Sequence, residues 1–167
     1  MRRQVLSILV ENTSGVLSHV SGLFSRRGYN IDSFSAGVTA DPKYTRMTIV
    51  TSGDDIILEQ IQKQVAKLED VVDVKILDPE DSVTRELMIV KISAKAEDRQ
   101  GVIALTREVF HGKIVDVTHE SMIIEVTGRT AKLDNFLNML DDYEILELAR
   151  TGTTGLSRGA DDVVFPE

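Results

Sequence analysis

The sequence predicts an α+β protein built from two tandem units of the order βαββαβ, on three observations. Short β-rich apolar runs alternate with apolar residues at helical spacing, in the same order, twice along the chain. Landmarks recur at equal intervals: Gly15 precedes Phe24 by nine residues and Gly101 precedes Phe110 by nine, while Met47 precedes Gly53 by six and Met122 precedes Gly128 by six. A polar, proline-containing stretch, Asp78-Pro79-Glu80-Asp81-Ser82, separates the two runs. A chain of 167 residues has room for one ordinary domain or two small ones.

The elements follow in order. Val5 to Val10 is β-rich and apolar, and Glu11 to Gly15 is a turn with Ser14 as candidate helix cap. Val16, Leu17, Val20, Leu23 and Phe24 recur at helical spacing. Arg26-Arg27-Gly28 closes that helix, because cations suit its C-terminal dipole and glycine suits a left-handed cap. Asn30 to Val38 reads as a strand, Ala40-Asp41-Pro42 as a turn and Thr45 to Thr51 as the next strand. Gly53-Asp54-Asp55 starts a second helix with Ile57, Ile61, Val65 and Leu68 on one face, and Val71 to Leu77 is a strand. This is the split βαβ, or ferredoxin-like, arrangement.

The order then repeats. Leu87 to Ala94 reads as a strand, and Val102, Ile103, Thr106, Val109 and Phe110 mark a helix. Ile114 to Val117 and Met122 to Val126 flank a turn at His119-Glu120. Leu133, Phe136, Leu137 and Leu140 mark the last helix, and Ile145 to Ala149 the last strand. The expected organisation is a first domain over residues 1–78, a linker over 79–84, a second ferredoxin-like domain over 85–152 and a flexible tail over 153–167. The tail is Gly- and Thr-rich without periodicity, and is expected to order only against a partner.

Composition excludes several functions. There is no cysteine, hence no disulfide framework, thiolate zinc site, iron–sulfur cluster or cysteine nucleophile. Acids outnumber bases 27 to 19, which disfavours nucleic acid and anionic membranes as partners. Aromatic residues are 5%, too few for a base-stacking sheet. Met-Arg-Arg-Gln runs straight into a strand rather than a signal peptide, and no apolar run reaches membrane-spanning length, so a cytoplasmic protein is expected.

No catalytic constellation stands out. His19, His111 and His119 lie at no metal-ligand spacing from one another, so no metal site is expected. There is no P-loop, no dinucleotide-binding glycine pattern and no nucleophile elbow. Asp54-Asp55, Asp141-Asp142 and Asp161-Asp162 read as solvated pairs, the first favourably placed at a helix start.

Two features remain. In the turn from Asn12 to Leu17 a strand ends, an amide is presented and a helix begins. The N–H groups of Gly15, Val16 and Leu17 would point at one spot, which suits a carboxylate. Asn12 offers both a donor and an acceptor. The plainer reading is that Asn12 caps the turn and Gly15 shapes it. The second feature is the strand from Asn30 to Val38, an edge strand in this fold that carries neither Lys nor Pro. It suits self-complementary pairing with a second copy.

Asn12-x-x-Gly15-x-Leu17 after a strand resembles the ligand loop of ACT domains, small-molecule sensors of amino-acid metabolism. The chain resembles more closely the small regulatory subunits of acetolactate synthase (acetohydroxyacid synthase). The matching stretches are Leu9 to Leu17, Gly22 to Ile31 with Ser33-Phe34, Arg46 to Ile49, Leu58 to Ile61, Lys91-Ile92, Lys132 to Asp134, Arg150 to Gly152 and Gly155 to Gly159. The resemblance favours the sensing reading of Asn12 and Gly15.

The resemblance implies a non-catalytic subunit. A separate large subunit would hold thiamine diphosphate, Mg and FAD and make acetolactate for branched-chain amino acid biosynthesis. The small subunit would activate it and confer feedback by valine or another branched-chain amino acid. The ligand would sit at an ACT homodimer seam, against Asn12, Gly15, Val16 and Leu17 of one protomer and Asn30 and Ile31 of the other. In the second domain, counting from Gly101 puts Asp98 at the place of Asn12, and counting from Gly112 puts Ile114 at the place of Asn30. With both amides gone, no amino-acid site of this type is expected there. Two alternatives remain: an ACT-type regulator of another partner, such as a transcription factor, and an enzyme acting alone.

Overall fold

The computed structural model describes residues 1–166. The chain forms two compact units, one comprising Met1–Thr84 together with the segment from Thr153 onward, the other Arg85–Gly152. The second unit is thus an excursion from the first, left at Thr84 and re-entered at Thr153.

The first unit contains β1 (Arg2–Glu11), α1 (Val16–Arg27), β2 (Asn30–Val38), β3 (Tyr44–Gly53), α2 (Asp55–Val65) and β4 (Val71–Ile76). Its antiparallel sheet has the order β2-β3-β1-β4. Both helices pack on one face. Leu6, Ile8 and Val10 of β1 and Met47 and Ile49 of β3 meet Val20, Leu23 and Phe24 of α1 and Leu58, Ile61 and Val65 of α2. Alternation along each strand delivers these residues to one side. Gly28 ends α1 at φ 65°, where its N–H meets the Ser25 carbonyl at 3.2 Å, as expected of a left-handed cap. Asp54 caps α2 by accepting from the Ile57 N–H at 2.9 Å. Ile57 lies at the margin of that helix, and Leu58 takes its expected place in the core.

The helix-free face of this sheet is also covered. Ser35, Thr48, Ser7 and Lys75 form one cross-strand row over β2, β3, β1 and β4. Ser7 and Thr48 in that row are 1% exposed, and Leu9 and Val50 on the same face are also buried. The expected flexible tail is the covering element. Thr154–Ser157 form a strand, β9, that packs over β3 and pairs with the first residues of β5 (Ser82–Ser93). The inward residue of β9 is Gly155. A Cβ there would stand 2.8 Å from Thr84 Cγ2 and from the Val83 carbonyl, so only glycine permits the approach. The Arg158 N–H donates to the Asp81 carbonyl at 2.9 Å, so part of the expected linker is this strand's partner.

The second unit continues with α3 (Arg99–Ala104), which passes into a π-helical turn at Leu105–Val109, then β6 (Lys113–Val117), β7 (Ser121–Gly128), α4 (Thr130–Met139) and β8 (Ile145–Arg150). Its antiparallel order is β6-β7-β5-β8. The expected α+β order is present in both units. The core gathers Met88, Val90 and Ile92 with Met122, Ile124 and Val126 under Val102, Leu133, Phe136 and Leu140. Phe110 meets Phe136 edge to face at 5.0 Å between centroids. The π turn inserts one residue into the helical repeat and rotates Val109, expected in the core, out to solvent. Arg150 forks onto the buried Glu86, Nε to Oε1 at 3.1 Å and Nη2 to Oε2 at 3.0 Å, and also donates to Asp134 at 2.8 Å. Burial works against the Arg150 charge, but these carboxylates outweigh it and raise its pKa.

Candidate functional site

The junction of β1 and α1 opens onto a cavity of about 460 Å³. Asn12, Thr13, Gly15 and the first residues of α1 line it together with Ala36, Gly37 and Val38 of β2 and Thr45 of β3. Gly15 caps the helix at φ 86° and ψ −3°, a left-handed conformation that glycine adopts without steric cost. The cap is therefore Gly15, not Ser14, and it makes no side-chain hydrogen bond to the helix. The first-turn N–H groups of α1 are beyond reach of any carbonyl of the helix itself. One of the three expected donors is engaged: Val16 N–H faces the Thr13 carbonyl at 3.4 Å, a long and weak contact. Val16's side chain turns into the core, while Leu17 at 50% exposure and Val38 at 60% leave apolar surface at the mouth.

Asn12 fixes the loop to the turn between β2 and β3. Its Nδ2 donates to the Pro42 carbonyl at 3.0 Å, and its Oδ1 accepts from Thr45 Oγ1 at 3.1 Å. Its backbone N–H donates to the Lys43 carbonyl at 2.7 Å. One N–H and one acceptor position on the amide remain open. So the Asn12 side chain does not cap its own turn but ties it across to the β2–β3 turn, and it keeps capacity for a ligand. The His19 ring pairs with Asp70 beside the loop.

Asn30 and Ile31 are not at this cavity in the same chain. Asn30 pairs with Ser52, at the far end of β3 from Tyr44, which pairs with Glu11 just before Asn12. At about 3.3 Å per residue, the eight steps between these registers separate the two amides by roughly 26 Å. Asn30 Nδ2 hydrogen-bonds Asp32, and Ile31 is half-buried against the first core. Sequence reading did not find Thr45, Pro42 or Ala36 to Val38 as parts of the site. They arrive through strand pairing, and no local pattern marks them.

The second unit has no matching loop. Asp98 is the residue before α3, and its carboxylate accepts from the Lys95 N–H at 3.2 Å. Gly101 is inside α3 rather than before it. At the other end, the left-handed residue is His111 at φ 53°, not Gly112. The strand therefore opens on Lys113 where the first unit opens on Asn30, and the count to Ile114 is one residue too long. Among the described residues no group of three or more His, Cys, Asp or Glu is placed to hold a metal ion. No helix of the described residues is long and apolar enough to cross a membrane.

Comparison with known proteins gives consistent matches along most of the chain. Residues 6–73 match the AHAS small subunit-like ACT domain, and residues 85–159 match the family described as the small subunit of acetolactate synthase. The probable acetolactate synthase small subunit of Methanothermobacter thermautotrophicus is 47% identical over 156 residues, covering 93% of each protein. The isozyme 3 small subunit of Escherichia coli is 49% identical over 158 residues, 94% of this chain and 96% of that one. The crystal structure of the acetolactate synthase small subunit from Thermotoga maritima superposes with a TM-score of 0.88 at 41% identity, over 96% of this chain and 99% of that one.

Proposed function

This chain belongs to the acetolactate synthase small-subunit family, and from that premise we propose that it is the feedback sensor and activator of a large catalytic subunit. Family membership makes it a non-catalytic subunit of that enzyme. Thiamine diphosphate, Mg and FAD belong, in this proposal, to the large subunit, and the complex works in the cytoplasm. The effector is valine or another branched-chain amino acid.

The observation that carries the sensing role is the cavity at the β1–α1 junction. Its floor offers N–H donors at the positive end of α1, which suits the effector's carboxylate. The open donor and acceptor of Asn12 complete the polar side, and Leu17 and Val38 meet the branched side chain. Gly15, Val16 and Leu17 form the loop that wraps the carboxylate.

The second half of the site comes from a partner. Of the four strands that end the two sheets, β4, β6 and β8 carry Lys75, Lys113 and Arg150, whereas β2 carries no Lys, Arg or Pro. Antiparallel pairing of two β2 strands about a two-fold axis at Phe34 would set Asn30 of one copy opposite Val38 of the other, and Ile31 opposite Gly37. This register brings Asn30 and Ile31 to the cavity wall that one chain leaves unfinished. A ligand shared across the seam binds the paired arrangement better than the separated one, which is the differential affinity that feedback requires.

A thermal-shift titration of the full chain with valine, leucine and isoleucine tests this reading. A ligand at a hundredfold excess over Kd should stabilise the folded chain by about 2.7 kcal/mol. The Asn12→Ala variant should lose that stabilisation while melting normally without ligand. Absence of any shift with all three amino acids overturns the sensing role.

A further inference from the structure

We propose that the C-terminal segment Thr153 to Asp162 is a strap that sets the effector affinity by holding β2 in place, with Ser33 and Ser35 as its positioning residues. The inference rests on the sensing role proposed above and adds a determinant outside the cavity. Neither serine lines the cavity, and both lie on the helix-free face of the sheet.

The strap grips β2 at one backbone position. The Thr153 N–H donates to Ser33 Oγ at 2.8 Å, and Ser35 Oγ donates to the Thr153 carbonyl at 3.0 Å. Thr153 is buried there at 5% exposure. From this point the segment runs as β9 over β3, and at the far edge of the sheet Asp162 pairs with Lys75, 3.3 Å from Nζ to Oδ2. Ser35 and Lys75 are the two ends of the single cross-strand row that also contains Thr48 and Ser7. The segment therefore crosses all four strands and is fastened at both edges.

The grip falls at the middle of β2, and each half of the proposed site takes part of its wall from one end of that strand. Ala36 to Val38 form the wall of the chain's own cavity, and Asn30 and Ile31 are the part offered to a second copy. β2 needs such support. It has one neighbour in the sheet, a register shift between Ile31 and Ser33, and largely exposed residues from Ala36 to Val38. An edge strand anchored on one side is free to fray, and each loss of register at Ser33 to Ser35 moves both ends.

Two variants of the full chain dislodge the strap from different sides. Ser33→Ala/Ser35→Ala removes the grip, and Gly155→Val drives a side chain into Thr84 and the Val83 carbonyl without touching β2. Valine binding is measured by calorimetry and amide exchange by mass spectrometry. Loss of two hydrogen bonds predicts roughly tenfold weaker valine binding. Faster exchange is expected over Ser33 to Val38, with α1 and α2 unchanged. Ser33→Thr/Ser35→Thr keeps both hydroxyls and should restore affinity, which a merely packing role for the serines would not produce. Valine binding equal to the unsubstituted chain in both strap variants overturns this proposal alone. No binding of valine by the unsubstituted chain overturns the sensing role, and this proposal with it.

Discussion

Gly15 and Gly101 hold the same place in the repeat and opposite places in the backbone. Each is followed by a buried valine, Val16 or Val102, and nine residues later by a phenylalanine, Phe24 or Phe110. Yet Gly15 turns the chain at φ 86° before α1 begins, whereas Gly101 lies two residues beyond the start of α3. In the first unit the late helix start leaves a loop whose N–H groups border a cavity. In the second, the early start consumes that loop, and Asp98 turns its carboxylate to the Lys95 N–H instead. Shared core landmarks preserve the packing of a helix on a sheet. They leave the helix's first turn free to diverge, and the first turn is where an anion-binding function would reside.

The strongest way to break this comparison is through the cores. Phe24→Ala and Phe136→Ala each empty a fully buried aromatic site and should each destabilise by about 3–5 kcal/mol. If sensing belongs to the first unit, Phe24→Ala abolishes valine-dependent protection from amide exchange. Phe136→Ala should leave that protection in the first unit intact. Equal loss in both variants would show that the second unit takes part in the site.

A smaller effect, of opposite sign at the two glycines, sharpens the comparison. Gly15→Ala forces a side chain into the left-handed region and should cost about 1–2 kcal/mol. Gly101→Ala fills a helical position whose nearest neighbour, Tyr143 Oη, would lie at an ordinary 3.7 Å, and should stabilise by roughly 0.5–1 kcal/mol. Urea unfolding of both variants reads the signs directly. Two losses of equal size would mean that the two glycines play one role after all.

The smallest effect separates the helix-free faces of the two sheets. In the first, a strap of the chain's own backbone lies over the row from Ser35 to Lys75. In the second, Lys91 and Glu147 face each other across β5 and β8 with Nζ 2.5 Å from Oε2. The hydrogen bond from Lys91, then its charge, holds the Glu147 carboxyl below its ordinary value of 4.5. A carboxylate with a depressed pKa contributes stability above the ordinary value, and loses it as pH falls through the depressed one. Lys91→Met should therefore flatten the acid-side fall in the urea midpoint below pH 4.5, slightly and only at low salt, because the pair is solvent-screened. An unchanged acid limb would assign that fall to other carboxylates.

Much of this molecule is decided within short stretches of sequence. The apolar spacing of Val20, Leu23 and Phe24, the stop at Arg27-Gly28 and the short β-rich runs of β1 and β3 act over a few residues, and they mark the element order of the first unit. The same holds for the loop after β1, where Gly15 and the residues around it form the turn they suggest. Three things were settled only by tertiary structure. Asn12 takes its partners from Pro42 and Thr45, thirty and more residues away, because strand pairing brings that turn beside the loop. Asn30 ends at the opposite end of the sheet from Asn12, because antiparallel register sends the start of β2 to the end of β3. And β9 exists although Thr154 to Ser157 has no apolar alternation, since its inward residue is a glycine admitted by close backbone approach. Periodicity records the side chains that a segment buries. A strand that packs by its backbone leaves no such record, and only the folded sheet beneath it gives it a place.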